Sequence, residues 1–212
     1  MEIIPAVMPK NNSDLKEQLS LVSSFVDTIQ LDLMDGEFVP EKTLPYNGTF
    51  ENLDFTTDIE LDLMVTNAGI QIDTFAELKP KRIILHLEAE DDLVSSIKTV
   101  RARMPSVEIG VALNISTPLS ELDAYLPTID FVQLMGIDRI GFQGQPFDGR
   151  ILDHIRHLRK NHPELIISVD GGVNFMTAPK LIALGVHRLV IGSAILKSEH
   201  IEHTIQEFKS LE

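Results

Sequence analysis

Gln30-Leu31-Asp32-Leu33-Met34-Asp35-Gly36-Glu37-Phe38-Val39-Pro40 is the stretch on which the reading of the fold turns. Gln30, Asp32 and Met34 alternate with Leu31 and Leu33, the two-residue period of a strand. One face of that strand is polar where burial normally demands apolar side chains, and the strand runs into a loop holding Gly36 and Pro40. Such a face is costly as structure alone. The design returns in Leu61-Asp62-Leu63-Met64-Val65 and in Val169-Asp170-Gly171-Gly172-Val173. Three strand ends each offer an aspartate, and carboxylates gathered in this way bind a metal or move a proton.

Outward from these segments, short apolar runs alternate with amphipathic stretches. The pattern predicts strands at Ile3–Met8, Thr28–Met34, Asp58–Val65, Arg82–Leu87, Val107–Leu113, Phe131–Met135, Leu165–Val169 and Arg188–Ile191. Ser13–Phe25 reads as a helix with a Ser cap and a Leu15, Leu19, Val22 stripe. Asp91–Arg103 aligns Val94, Ile97 and Val100, and Asp148–Lys160 aligns Ile151, Ile155 and Leu158. Phe175–Leu184 ends at a capping Gly185, and Ala194–Leu211 closes the chain. Glu41–Phe55, with Pro45, Asn47 and Gly48, has no long apolar stripe, so the second helix is expected to be short or replaced by a loop. No linker, repeat or composition shift divides residues 1–212, which are read as one domain. Eight βα units in this length point to an α/β fold, the (β/α)8 TIM barrel, with a doubly wound open sheet as the alternative. In a barrel all three aspartate clusters sit at the C-terminal mouth of the strands.

Composition narrows the function. Apolar residues make up 43% of the 212 and mean hydropathy is near zero, as in a globular chain. No apolar run approaches the roughly 20 residues that cross a bilayer, and the N-terminus lacks the pattern of a signal peptide, so a cytoplasmic protein with no membrane partner is expected. The absence of cysteine excludes disulfides and thiolate ligands. A formal charge of −14 argues against nucleic acid. It leaves a small anion open, because backbone N–H groups at a helix N-terminus hold a phosphate locally.

At these residues the chain resembles the ribulose-phosphate 3-epimerase family of phosphate-binding barrels, nearly end to end. Leu31–Pro40 and Leu61–Val65 look like that family's strand-two and strand-three signatures. Val111-Ala112-Leu113-Asn114 with Thr117-Pro118 resembles its strand-five segment. Gly141-Phe142-Gln143-Gly144-Gln145-Pro146-Phe147 resembles its mobile loop after strand six. Val169–Val173 and Ile191-Gly192-Ser193-Ala194-Ile195 look like its two phosphate loops. The resemblance implies a sugar-phosphate isomerase, commonly a homodimer, in which Asp32 and Asp170 exchange protons on opposite faces of a carbon next to a ketone. It also implies a divalent metal that stabilises the enediolate. Inverting such a carbon does need a base, an acid and an electrophile for the developing oxyanion. The structural alternative is that both aspartates merely cap loops.

The chain departs from the family's pattern where the metal is held. The family uses two histidines with the two aspartates, and the matching positions here are Gln30 and Asp62. The set Gln30, Asp32, Asp62 and Asp170 offers oxygen donors in place of nitrogen, which favours Mg²⁺ or Mn²⁺ over zinc, or no metal at all. His86, at the end of strand four, either sits above the site or is a hydrogen-bonded strand-end residue. Ala6 stands where the family has a hydroxyl, and Arg139 adds a cation, solvated or facing an anion, to a strand-six loop one residue longer than usual. The phosphate site is expected to be intact by that resemblance, with tight turns that need glycine as the plainer reading. Gly171 and Gly172 permit close backbone approach, Gly192 and Ser193 open the last helix, and the resemblance adds Gly141 and Gly144. Ala6, Met8, Met34, Met64, Met135 and His86 are expected around the substrate, with core packing as the plainer role for the methionines. The reading that follows is a sugar-phosphate epimerase. Its alternatives are an isomerase or lyase with another sugar phosphate, and a barrel that binds a phosphorylated ligand without turnover.

Overall fold

Eight runs of alternating side chains become eight parallel strands hydrogen-bonded in sequence order, with the last closing on the first. The protein is described by a computed structural model covering residues 1–43 and 57–211. The strands are β1 (Glu2–Val7), β2 (Thr28–Met34), β3 (Asp58–Met64), β4 (Arg82–His86), β5 (Glu108–Leu113), β6 (Phe131–Met135), β7 (Ile166–Asp170) and β8 (Arg188–Ile191). The closed barrel excludes the open sheet. β2, β6 and β8 have the expected bounds. β1 begins and ends one residue earlier than expected, and β7 includes Asp170, which therefore sits on a strand instead of in the loop beyond it.

The helices depart more. α1 (Asn12–Val22) is capped by Asn11, whose side chain accepts from the N–H groups of Ser13 and Asp14. Ser13 is thus inside the first turn; both residues are capping types, and the earlier one reaches the free amides. A short α2 (Ile72–Ala76), absent from the sequence reading, follows β3 and buries Ile72 and Phe75. α3 (Leu93–Arg103) buries Leu93, Ile97 and Val100, whereas Val94, expected on that face, is exposed. The segment after β5 forms only single 3₁₀ turns at Leu119–Glu121 and Leu126–Thr128, where Pro118 and Pro127 disrupt a longer helix. α4 (Ile151–Asn161) buries Ile151, Ile155 and Leu158 as expected. α5 spans Ala178–Ala183, followed by Gly185 at φ +77°. The single last helix is instead two, α6 (Ser193–Leu196) and α7 (Ile201–Lys209). The expectation for Glu41–Phe55 falls mostly outside the described residues.

Leucine, isoleucine and valine at one strand parity pack outward into the layer beneath the helices: Leu31, Leu33, Leu61, Leu63, Ile83, Leu85, Val132, Leu134, Ile167 and Val169 are all buried there. The other parity faces the barrel axis and is unusually polar. Its floor is an ionic layer. Arg82 donates to both carboxylate oxygens of Glu2 at 2.9 and 2.8 Å and lies 2.8 Å from Glu60. Arg188 pairs with Glu108 at 2.9 Å and stands 4.6 Å over the Phe131 ring. Burial pushes Glu60 up to about 7 against the pull of Arg82. Burial also resists ionisation of Glu2, but hydrogen bonding from Arg82 overcomes it and takes Glu2 down to about 2.

Candidate active site

Above that floor the register sets Asp32 directly beside Asp62 on β2 and β3, with Met34 beside Met64 one layer higher. Asp170 ends β7 opposite Met135. Carboxylate oxygens of Asp32, Asp62 and Asp170 all lie within 4.8 Å of one another. Asp32 and Asp62 are buried and Asp170 is half-buried. Gln30 joins them, its Nε2 donating to Asp32 Oδ1 at 2.8 Å and to Asp170 Oδ2 at 2.8 Å. Its Oε1 is buried with no partner.

Burial raises Asp32 well above the ordinary carboxylate range, and the charges of Asp170 and Asp62 raise it further. Asp170 is pushed up to about 7, first by burial and then by Asp62, with the Gln30 hydrogen bond opposing. Carboxylates so close cannot all ionise cheaply, so protons or a cation must be shared among them. A carboxyl near neutrality can both take and give a proton at physiological pH.

His86, the last residue of β4, takes the second of the two roles foreseen for it, a hydrogen-bonded residue at a strand end, and not the expected place around the substrate. It lies fully buried behind Asp62, its Nε2 2.7 Å from Asp62 Oδ1, with the Phe38 ring 5.3 Å away, and it does not line the cavity. Burial disfavours its charge, but the Asp62 carboxylate outweighs this and raises its pKa. Gln133 Nε2 donates to Asp62 Oδ2 at 3.1 Å, and Ser168 Oγ donates to Gln133 Oε1 at 3.2 Å. Asp62 is therefore held from two sides. Gln133 and Ser168 were missed in the sequence, although both sit at the axial parity of their strands, in Phe131-Val132-Gln133 and Ile166-Ile167-Ser168.

Asp32 and Asp170 open into a cavity of about 180 Å³ that is also lined by Ala6, Met8, Met64 and Met135 and by all six expected phosphate-loop residues, Gly141, Gly144, Gly171, Gly172, Gly192 and Ser193. Met34 lies outside it, packed with Val39 and Met64 and lining a neighbouring chamber, because its side chain points toward the β2 loop. Gly171 and Gly172 take φ +96° and +70°, and a Cβ on Gly172 would stand 2.7 Å from Phe147 Cα. No protein carbonyl accepts the N–H of Gly172 or Ser193 among the described residues. Ala6, which lacks a hydroxyl, contributes its carbonyl instead: Gln143 Nε2 donates to it at 3.1 Å and ties the β6 loop to β1. The root of that loop is fixed by Gly136 N–H, which donates to the Asp170 carbonyl at 2.6 Å. Arg139 is exposed, its guanidinium 5.4 Å over the Phe142 ring, and does not line the cavity.

The oxygen set fits a divalent cation of the hard type. Three carboxylates converge, the fourth residue has a buried carbonyl oxygen without a partner among the described residues, and among these no imidazole nitrogen or thiolate joins the cluster, since His86 Nε2 is engaged by Asp62. Amide oxygen and nitrogen are interchangeable by a half-turn of the Gln30 side chain, which would aim Oε1 at the carboxylates in place of Nε2.

Comparison with known proteins bears on the family and the fold. Two curated relatives are the ribulose-phosphate 3-epimerase of Bacillus subtilis (strain 168), 31% identical over 219 residues and covering 99% of this chain and 98% of that protein, and that of Buchnera aphidicola subsp. Baizongia pistaciae, 32% identical over 216 residues and covering 97% and 93%. Among solved structures, KGPDC from Streptococcus mutans in complex with D-R5P superposes with a TM-score of 0.72 at 15% identity, covering 99% of this chain and 96% of that one. A 3-hexulose-6-phosphate synthase gives 0.71 at 17%, covering 100% and 99%. At such identities these two structures speak for the barrel alone. The model of the ribulose-phosphate 3-epimerase family matches residues 2–196, which takes in every strand and both phosphate loops, and the chain belongs to that family.

Proposed function

We propose that the protein is a sugar-phosphate isomerase of the 3-epimerase type, inverting a carbon alpha to a ketone by proton transfer between Asp32 and Asp170. The observation that carries this is the placement of both carboxylates on one cavity with the glycine loops, joined through one Gln30 nitrogen at 2.8 Å from each. The ligand's phosphate is assigned to the N–H groups of Gly171, Gly172, Gly192 and Ser193, with Gly141 and Gly144 closing over it. Met8, Met64 and Met135 exclude water from the sugar. One aspartate, ionised, removes the proton; the other, protonated, returns one to the opposite face, and their roles exchange in the reverse direction. Asp32, Asp62 and Asp170, with the Gln30 carbonyl, are the residues that would hold a divalent ion such as Mg²⁺ or Mn²⁺. When bound, that ion supplies Lewis-acid stabilisation of the enediolate oxygen.

The test is incubation with ribulose 5-phosphate in deuterium oxide, followed by NMR at the carbon next to the ketone. Deuterium incorporation and epimer formation are expected. Both should fall by about a thousandfold in D32N and in D170N, in the range of a lost general acid or base. A second reading, a phosphate-binding barrel without turnover, is favoured by the replacement of both family histidines by Gln30 and Asp62. Binding without any deuterium uptake, with or without added manganese, would establish that reading instead.

A further inference from the structure

Beside the inner cavity lies a larger chamber of about 580 Å³, and Met8, Gly141, Phe142 and Gln143 border both. Three lysines, Lys10, Lys42 and Lys197, line it against one carboxylate, Glu41. None of the three makes an ion pair among the described residues. Asp14, close to Lys10 on α1, is already engaged by the Lys10 backbone N–H at 2.7 Å and by Gln18 at 2.8 Å.

Two of these lysines are placed by their surroundings in the chain. Lys42 is bridged to Asp35 through the backbone, and its stem lies across Gly36, where a Cβ would stand 2.3 Å from Lys42 Cε. Lys197 follows the phosphate loop by one helical turn. Its Nζ is 4.0 Å from where a Gly144 Cβ would stand, a point 3.7 Å from Ser193 Oγ. It therefore stands on the chamber's side of the β8 loop, next to Gly144. In a chain with 32 acidic and 18 basic residues, three lysines against one carboxylate around one chamber, among the described residues, reverse the balance of the chain as a whole. Charges of one sign lining a concave site attract the opposite sign and discriminate between ligands.

We infer that this chamber is a second anion subsite, and that the sugar phosphate taken by the barrel carries a second anionic group, a carboxylate or a second phosphate, in addition to the phosphate held by the glycine loops. The inference rests on the sugar-phosphate reading above and adds the substrate class. A ligand spanning both spaces sets its first phosphate on the glycine loops and its second charge among Lys10, Lys42 and Lys197, with the carbon chain passing the methionines.

Isothermal calorimetry of the full chain with ribulose 5-phosphate, ribulose 1,5-bisphosphate and 6-phosphogluconate tests it. At least one of the two doubly anionic ligands should bind about tenfold or more tightly than ribulose 5-phosphate, the size of one good charge contact. That ratio should shrink to within about twofold in K10Q/K42Q, and also in the unaltered protein at high ionic strength. Lys10 and Lys42 are exposed, and the salt measurement needs no variant, so a folding defect cannot mask the result. If ribulose 5-phosphate binds and neither other ligand binds better, the subsite is refuted while the sugar-phosphate reading stands. If none of the three binds, both readings fall. A preference that persists in K10Q/K42Q and at high salt overturns the assignment to the lysines.

Discussion

Gln30 and Asp62 set which metal the proposed site would prefer. Zinc favours nitrogen and sulfur donors, and the cluster offers carboxylates and an amide. Protein purified without chelator is expected to carry manganese or magnesium in preference to zinc, as read by elemental analysis. The double variant Q30H/D62H should reverse that preference. Stoichiometric zinc in the unaltered protein, lost in D62A, would show the donor set to be misread. Asp32, Asp62 and Asp170 were legible in the sequence because each stands at the same parity of a strand that ends in a loop. The partners of Asp62 were not. His86, Gln133 and Ser168 reach it, or reach one another, across β3, β4, β6 and β7. Contacts across a barrel depend on its closure and stagger, which no single strand encodes.

The β7 loop shows how an element shapes the proposed phosphate site. Gly172 has φ +70°, and an added Cβ would meet Phe147 backbone at 2.7 Å. G172A is therefore expected to cost about 1–3 kcal/mol of stability, from the positive φ together with the clash. It should also weaken inorganic phosphate binding by about tenfold, because the loop must shift away from Phe147. Gly149 is the control: a Cβ there meets nothing within 4 Å, and its φ is not positive. G149A should leave both thermal unfolding and phosphate affinity almost unchanged. Strands were read more faithfully than helices, for a physical reason. A strand's two-residue alternation is visible over five residues, as in β6. The Ala194–Leu211 stretch kept a helical apolar pattern although the chain breaks between Leu196 and Ile201, a turn that Ser198 stabilises by accepting the His200 N–H.

At the scale of the whole barrel, the ionic floor ties β1, β3, β4, β5 and β8 together and makes stability depend on pH. Glu60 has a folded-state pKa of about 7, above its ordinary 4.5. The folded state therefore holds its proton more tightly than the unfolded one. Ionising Glu60 costs stability, and the cost is absent at acid pH, grows as pH rises above 4.5 and is complete once pH passes about 7. Between pH 5 and 8 this group alone should lower the unfolding free energy by roughly 2–3 kcal/mol. E60Q, which keeps the shape without the charge, should remove most of that slope in denaturant unfolding measured at the two pH values. Glu2 acts in the opposite sense over another range. Its pKa of about 2 contributes stability that is full above 4.5 and is lost as pH falls toward 2. The slope that E60Q removes is thus confined to the upper range, and an unchanged slope there would show that Glu60 does not titrate in the folded barrel. The barrel itself was legible from eight runs in order. Its polar floor was not, because Glu60, Arg82 and Arg188 look like ordinary charged ends of strands until closure turns them inward.

Gln30 has one more implication, concerning handedness. Its amide nitrogen is equidistant from the two carboxylates proposed to flank the reacting carbon. Exchange the proton between Asp32 and Asp170, and this contact looks the same from either side, like a hinge pin set on a mirror plane. The contact then favours neither aspartate as the base at that point, and the final balance of epimers is, as with any catalyst, left to the sugars themselves. Loss of the pin should slow the left-to-right and right-to-left journeys together.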